Sequence, residues 1–273
     1  MQKIIKLAKE LGFCSGVRRA IDIVEKQNKK LNVLGDLVHN KIVIENLKKK
    51  EISFISSIEE ANSNVIVITA HGLAESVKKE IKNKGYEIID TTCPFVEKIH
   101  KQTKEKEKNG YFIVLIGEKN HIEVKGVVKD LKNKIVIDDE SEIKNIPDKK
   151  TAVFCQTTQD TEKAEFLLKR IKEKIKNVEF YDTICKATRD RQESAKQLAK
   201  EVDLMIVIGG KNSNNTLKLK DVCSSIIETK HIESIGEIDK SWFDNKKTIG
   251  VTAGASTPPY LIDEIVTKIK SLK

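Results

Sequence analysis

Apolar residues in this chain gather in short blocks that break off into polar turns. "NVIVITAHG" (64–72), "YFIVLIGEKNHIE" (111–123) and "LMIVIGGKNSNN" (204–215) each run through Ile and Val before breaking into a polar turn rich in Gly, His, Ser or Asn. Such blocks predict strands near 65–68, 111–116, 135–137, 151–154, 204–208 and 248–252. Between them, helical spacing of apolar positions predicts amphipathic helices over 161–175 and 190–201. Val17, Ala20, Ile21 and Val24 form the buried face of another. Short, wholly apolar strands alternating with helices predict an α/β fold of parallel βαβ units. In such folds the binding groups lie on loops beyond the C-terminal ends of the strands. "TAHG", "GEKNHIE", "QTTQ", "GGKNSNN" and "TAGAST" occupy those places.

The pattern also repeats. "DTTCPFVEKIHK" (90–101) lines up with "DTICKATRDRQE" (182–193), each an Asp-Thr-x-Cys that opens a helix, followed about twenty residues later by a strand and a polar turn. The first third is more diverged, but Cys14 in "ELGFCSGVRRAIDIV" again opens a helix. We therefore expect three small α/β units, 1–92, 93–184 and 185–273, in a pseudo-threefold, trefoil arrangement, with one such cysteine in each.

Composition narrows the class. No apolar run reaches the roughly 18–20 residues of a membrane span, and the N-terminus lacks the apolar stretch of a signal peptide. The expected setting is the cytoplasm, with no membrane partner. Lys and Arg outnumber Asp and Glu by 50 to 41. The lysines are interleaved with glutamates, as in "HKQTKEKEKNG", which reads as a solvated helix face rather than a nucleic-acid footprint. An anionic small substrate or an acidic redox partner suits this balance better. Five cysteines, an odd number without a CxxC pair, argue against a disulfide framework, a zinc ribbon or a thioredoxin-like motif.

Cys155 and Cys223 read as small buried hydrophobes. Cys14, Cys93 and Cys185 at helix starts sit where thiolates are favoured. Three soft thiolates select zinc, copper(I) or an iron–sulfur cluster, and leave one coordination position open. Around them stand short donors in strand-end loops: His39, His71, His121, Thr157, Thr158, Ser213, Asn215 and Ser256. Such groups suit phosphate oxygens. Glu123 reads either as a general acid or as a carboxylate complementing a helix dipole. His100 and His231 lie outside these loops and are expected at the surface.

"GFCSGVRRAI", "VHN", "AHG", "DTTCPFV", "GEKNHIEVKG", "QTTQ", "DTICKATRDRQ", "KNSNN" and "GVTAGASTP" together resemble, in order and over almost the whole chain, the LytB/IspH family of 4-hydroxy-3-methylbut-2-enyl diphosphate reductases. The resemblance implies a trefoil-like α/β fold around one [4Fe–4S] cluster per chain with an open fourth iron site. Cys14, Cys93 and Cys185 match the cluster ligands. His39, His71, His121, Ser213, Asn214, Asn215 and Ser256 match the diphosphate-binding positions. Glu123 matches the proton-delivering glutamate, and Thr157 the threonine near the substrate's hydroxyl end. The implied reaction is reductive loss of the allylic hydroxyl, giving isopentenyl and dimethylallyl diphosphate, the last step of the methylerythritol phosphate route. The implied electron donor is a ferredoxin or flavodoxin, and the implied state a monomer or weak dimer. Two positions depart from the family pattern: Asn214 stands where many relatives have a serine, and Cys155 replaces the threonine that often begins "TQTT".

Overall fold

The computed structural model describes residues 3–272. Among them twelve strands alternate with nine α-helices. The strands are β1 (Ile4–Leu7), β2 (Leu31–Leu34), β3 (Ile52–Ile55), β4 (Val65–Ile68), β5 (Glu87–Asp90), β6 (Phe112–Ile116), β7 (Lys134–Ile137), β8 (Thr151–Cys155), β9 (Val178–Tyr181), β10 (Leu204–Ile208), β11 (Thr229–Ile232) and β12 (Thr248–Ala253). The helices are α1 (Ser15–Glu25), α2 (Lys41–Lys48), α3 (Glu75–Asn83), α4 (Pro94–Lys108), α5 (Ile122–Val128), α6 (Thr161–Lys174), α7 (Lys186–Ala199), α8 (Asn214–Ser224) and α9 (Pro259–Ser271). The expected strands are all present. Helix α7 begins four residues earlier than the apolar spacing suggested, because the start signal is a cysteine, not a recognisable capping residue.

The strands form three separate four-stranded sheets, and every pairing in them is parallel. Two of the orders are β3-β2-β4-β5 and β7-β6-β8-β9. The third, read from the other edge, is β11-β10-β12-β1. The three orders are one topology used three times. In the third sheet the last place is filled by the N-terminal strand, with Ile4 opposite Thr248 and Leu7 opposite Val251. Thus β1 comes from the first third of the chain yet completes the sheet built by the last third.

The chain separates into two compact bodies. One contains the chain up to Val17, His39–Val43 and the chain from Lys186 onward; the other contains Arg18–Val38 and Ile44–Cys185. The first body holds the β11-β10-β12-β1 sheet, and the second holds the other two. The central strands are Ile- and Val-rich and buried along their whole length: β4 is VIVI, β8 TAVFC and β10 LMIVI. This is what a parallel sheet covered on both faces requires. Each buried Ile, Leu or Val contributes about 1.5–3 kcal/mol, and helices lie over both sides. In the first body, Leu261, Ile262, Ile265 and Ile269 of α9 pack against Ile206, Ile249 and Val251. Cys223 of α8 joins Leu219, Met205 and Val207 on the other face. Cys155 packs among Val114, Ile116 and Val153. Both cysteines are fully buried, as their sequence context suggested.

Candidate functional site

The three helix-opening cysteines share one local construction. Each lies past the end of the strand in the last place of its sheet (β1, β5 or β9) and immediately precedes a helix. Each bonds back to the strand beside it. The N–H of Cys14 donates to the Ala255 carbonyl at 3.1 Å, that of Cys93 to Ala70 at 3.0 Å, and that of Cys185 to Thr157 at 3.0 Å. All three acceptors stand two residues beyond the final residue of the neighbouring strand, β12, β4 or β8.

The residue two places before each cysteine binds that final residue itself. Gly12 N–H donates to Ala253 at 3.2 Å and Thr91 N–H to Ile68 at 3.0 Å. The Thr183 hydroxyl donates to the Cys155 carbonyl and accepts the Cys155 N–H at 2.8 Å. Thr91 uses its hydroxyl in the same way, toward the Ile68 carbonyl at 2.6 Å. This explains the threonine of "DTxC": its hydroxyl ties the loop to the strand end. Cys93 is the N-cap residue of α4, and the Cys14 sulfur accepts the Val17 N–H at 3.4 Å, as a cap does. All three thiols are half-buried, whereas Cys155 and Cys223 are sealed in the core.

In the second body, His71, His121, Glu123 and Thr157 are carried by loops and helix starts after β4, β6 and β8. His121 caps α5, its Nδ1 accepting the Glu123 N–H at 3.2 Å. A ring nitrogen that accepts from a backbone N–H carries no proton, so neutral His121 bears its proton on Nε2. The His71 and His121 rings lie edge to face, 5.8 Å apart between centroids. Glu123 is 3% exposed. Its carboxylate accepts the Thr157 N–H at 2.7 Å and the Thr157 hydroxyl at 2.6 Å. Burial pushes the Glu123 carboxyl above its ordinary value, opposed by those two donors. Thr157 therefore touches both side chains' surroundings, holding Glu123 with its N–H and hydroxyl and the Cys185 N–H with its carbonyl. Thr158 is half-buried and accepts from the Gln156 side chain at 3.1 Å.

In the first body, His39, Ser213, Asn214, Asn215 and Ser256 come together at the starts of α2 and α8 and the end of β12. The Ser256 hydroxyl donates to the His39 carbonyl at 3.0 Å. The turn after β10 lies directly on the same carbonyl: a Cβ at Gly210 would stand 2.6 Å from it, so only glycine fits. Ser213 caps α8, and Asn214 and Asn215 form its first turn, at the helix end whose dipole favours an anion. The Asn215 amide nitrogen is buried with no hydrogen-bond partner. The asparagine of "VHN" has a plainer role, since Asn40 Oδ1 accepts the Val43 N–H at 3.2 Å and caps α2.

Two expectations are corrected. His100 is 8% exposed and packed on the inner face of α4, because Val96, Ile99, His100 and Thr103 share that face. His231 is half-buried in β11, its Nε2 bonded to the Gly209 carbonyl at 2.8 Å. Sequence reasoning also missed Arg191, 4% exposed on α7, whose guanidinium bonds the Gly12 carbonyl at 2.6 Å and so steadies the loop leading to Cys14. Its one sequence signal was its place in "DTICKATRDRQ". Arg19 similarly caps the Thr91 and Thr92 carbonyls at 3.3 Å ahead of Cys93.

The chemistry of the three thiols fits a soft, thiolate-bound group. Among the described residues no three His, Cys, Asp or Glu side chains are gathered closely enough for a single ion. Thiolates are the ligands that iron–sulfur groups take, and each of the three cysteine loops offers one at a half-buried helix start.

The LytB protein family matches residues 5–270. A 4-hydroxy-3-methylbut-2-enyl diphosphate reductase of Clostridioides difficile (strain 630) is 41% identical over 277 residues, covering 98% of this chain and 99% of its own. A solved structure of the E-1-hydroxy-2-methyl-but-2-enyl-4-diphosphate reductase from Plasmodium falciparum superimposes with a TM-score of 0.94 at 29% identity, over 98% of this chain and 88% of that one. A second solved structure, described as (E)-4-hydroxy-3-methyl-but-2-enyl diphosphate reductase, the terminal enzyme of the non-mevalonate pathway, is 36% identical with a TM-score of 0.71, over 99% of both chains. No helix among the described residues is long and apolar enough to cross a membrane. On family match, full-length relatives and shared fold, the chain belongs to the LytB family of 4-hydroxy-3-methylbut-2-enyl diphosphate reductases.

Proposed function

We propose that this chain reduces (E)-4-hydroxy-3-methylbut-2-enyl diphosphate to isopentenyl and dimethylallyl diphosphate, with the site residues in the following roles. The balance is one carbon–oxygen bond broken, two electrons and two protons taken up, and water released. Cys14, Cys93 and Cys185 hold one [4Fe–4S] cluster, one from each of the thirds 1–92, 93–184 and 185–273. When bound, that cluster supplies the electrons and a Lewis-acidic iron with an open position.

The rest of the work falls to side chains of this chain. His39, His71, His121, Ser213, Asn214, Asn215 and Ser256 receive the diphosphate through ring N–H, hydroxyl and amide donors and the N-terminus of α8. Fixing that end orients the allylic end, and orientation can be a large part of a barrier. Glu123 holds a proton and passes it through the Thr157 hydroxyl toward the departing oxygen. The observation that carries this role is Thr157 itself: Glu123 is bonded to it twice, and the Thr157 carbonyl is bonded to the N–H of Cys185. Asn214 keeps an amide where relatives have a hydroxyl, so it preserves a donor. Cys155 is buried in the core and takes no part.

The electron donor is a ferredoxin or flavodoxin acting on a cytoplasmic monomer or weak dimer. The test is anaerobic conversion of the allylic diphosphate with dithionite and a viologen mediator. Appearance of both five-carbon diphosphates is the expected result. A reconstituted, iron-loaded protein that leaves the substrate unchanged would overturn the assignment.

A further inference from the structure

Helix α4 carries Cys93 at its N-cap and turns Val96, Ile99, His100 and Thr103 inward. His100 Nε2 is buried with no hydrogen-bond partner. That atom lies against the turn bearing His71. A Cβ built on Gly72 would stand 3.3 Å from His100 Nε2, 3.0 Å from Thr92 Cγ2 and 3.2 Å from Val96 Cγ1. Gly72 has φ of +76°, so the left-handed turn and its close seat on α4 both demand glycine. From the other side, a Cβ on Gly126 would come within 3.7 Å of His100 Cε1 and Nε2 and 3.4 Å of the Gly72 carbonyl. Gly126 lies three residues beyond Glu123 on α5, the helix capped by His121. One buried imidazole is thus the meeting point of the elements that carry Cys93, His71 and the His121–Glu123 pair.

A position of pure packing would be filled more cheaply by leucine, because an unpartnered buried ring nitrogen is costly. We propose that His100 is a positioning residue whose Nε2 hydrogen-bonds the backbone of the His71–Gly72 turn when diphosphate is seated, fixing His71 against α5. The proposal rests on the reading of His71 and His121 as diphosphate ligands. It assigns His100 an effect on affinity that a space-filling residue lacks.

The test uses anaerobic, iron-loaded protein and inorganic diphosphate, with calorimetric affinity and the diphosphate-induced rise in Tm as readouts. Steady-state KM and kcat for the allylic diphosphate are measured alongside. His100→Leu should keep its iron and a ligand-free Tm at or above wild type. It should bind diphosphate about tenfold more weakly, the effect of one neutral hydrogen bond, and raise KM with little change in kcat. His100→Gln, which places a neutral polar group near the Nε2 position, should recover most of the affinity. Equal affinity in all three proteins would overturn the proposal. So would an affinity loss in His100→Leu that tracks a lower ligand-free Tm and is not recovered by Gln. A wild-type protein that does not bind diphosphate would instead remove the underlying reading of the histidines.

Discussion

At the scale of single residues, Glu123 decides most. Its type and its place two residues after His121 were legible in the sequence, but its burial and its two hydrogen bonds from Thr157 were not, because residues 123 and 157 meet only through the pairing of β6 with β8. Glu123→Gln can keep both contacts, accepting from the Thr157 N–H and donating to its hydroxyl. The variant should retain its iron and its diphosphate affinity while losing turnover by about 10²–10⁴-fold, the usual weight of a positioned acid. Single-turnover assays beside an iron count check this.

The same residue links stability to pH. Its folded-state pKa lies above the unfolded one, so the stability it contributes is full below the unfolded value and is lost as pH rises through the folded value. Melting curves should therefore show wild type losing ground to Glu123→Gln as pH rises from the acid range toward neutrality. His100 was misread as a surface residue because one histidine among lysines and glutamates gives no sign of its helix face until Val96, Ile99 and Thr103 are aligned with it. Its burial, reinforced by Lys78 and Lys104, brings its pKa down from 6.5 to about 4. For a depressed histidine the stability is present above the unfolded value and lost as pH falls from about 6.5 toward 4, by up to about 3 kcal/mol. His100→Gln should lack that part of the acid slope.

At the scale of elements, the cysteine loops show what a short motif encodes. "DTTC" and "DTIC" were visible as a repeat, and the reason is now physical: the threonine hydroxyl fastens the loop to the end of the adjacent strand, and the cysteine N–H fastens it two residues further on. The first copy was harder to see because Gly12 makes the equivalent bond with its backbone alone and needs no threonine. Thr183→Val removes both bonds to Cys155 while preserving shape. It should cost about 1–3 kcal/mol, a fall in Tm of several degrees for a chain of this size, with less iron retained per chain on thermal challenge. The buried strands β4, β6, β8, β10 and β12, and the edge strand β7, were readable as apolar blocks. The outer strands β1, β3, β5, β9 and β11 were not, being short and only partly covered, with patterns such as "EIID" and "TKHI". Nor was the buried β2, whose four residues LNVL are interrupted by Asn32.

At the scale of the whole molecule, the repeat is one sheet topology used three times, with the chain cut open inside the third copy. No local pattern in "IIKL" states that its partner is Thr248–Val251, more than two hundred residues away. Deleting residues 1–7 should turn β12 into an open edge and remove the lead-in to Cys14. Limited proteolysis should then cut within residues 186–272 under conditions that leave the intact chain whole. The excess of lysine is dispersed in exposed pairs such as Lys29–Glu87 and Lys101–Glu97. These contribute little each, so moderate salt should leave Tm almost unchanged.

The central claim is that Cys14, Cys93 and Cys185 together hold the redox group. Iron and acid-labile sulfide per chain, determined on protein purified without oxygen, test it most directly, with serine variants of all five cysteines measured in parallel. The account predicts about four of each in wild type and in the Cys155 and Cys223 variants, and a loss in the Cys14, Cys93 and Cys185 variants. Zinc without sulfide, or a full complement of iron in any of those last three, would contradict it.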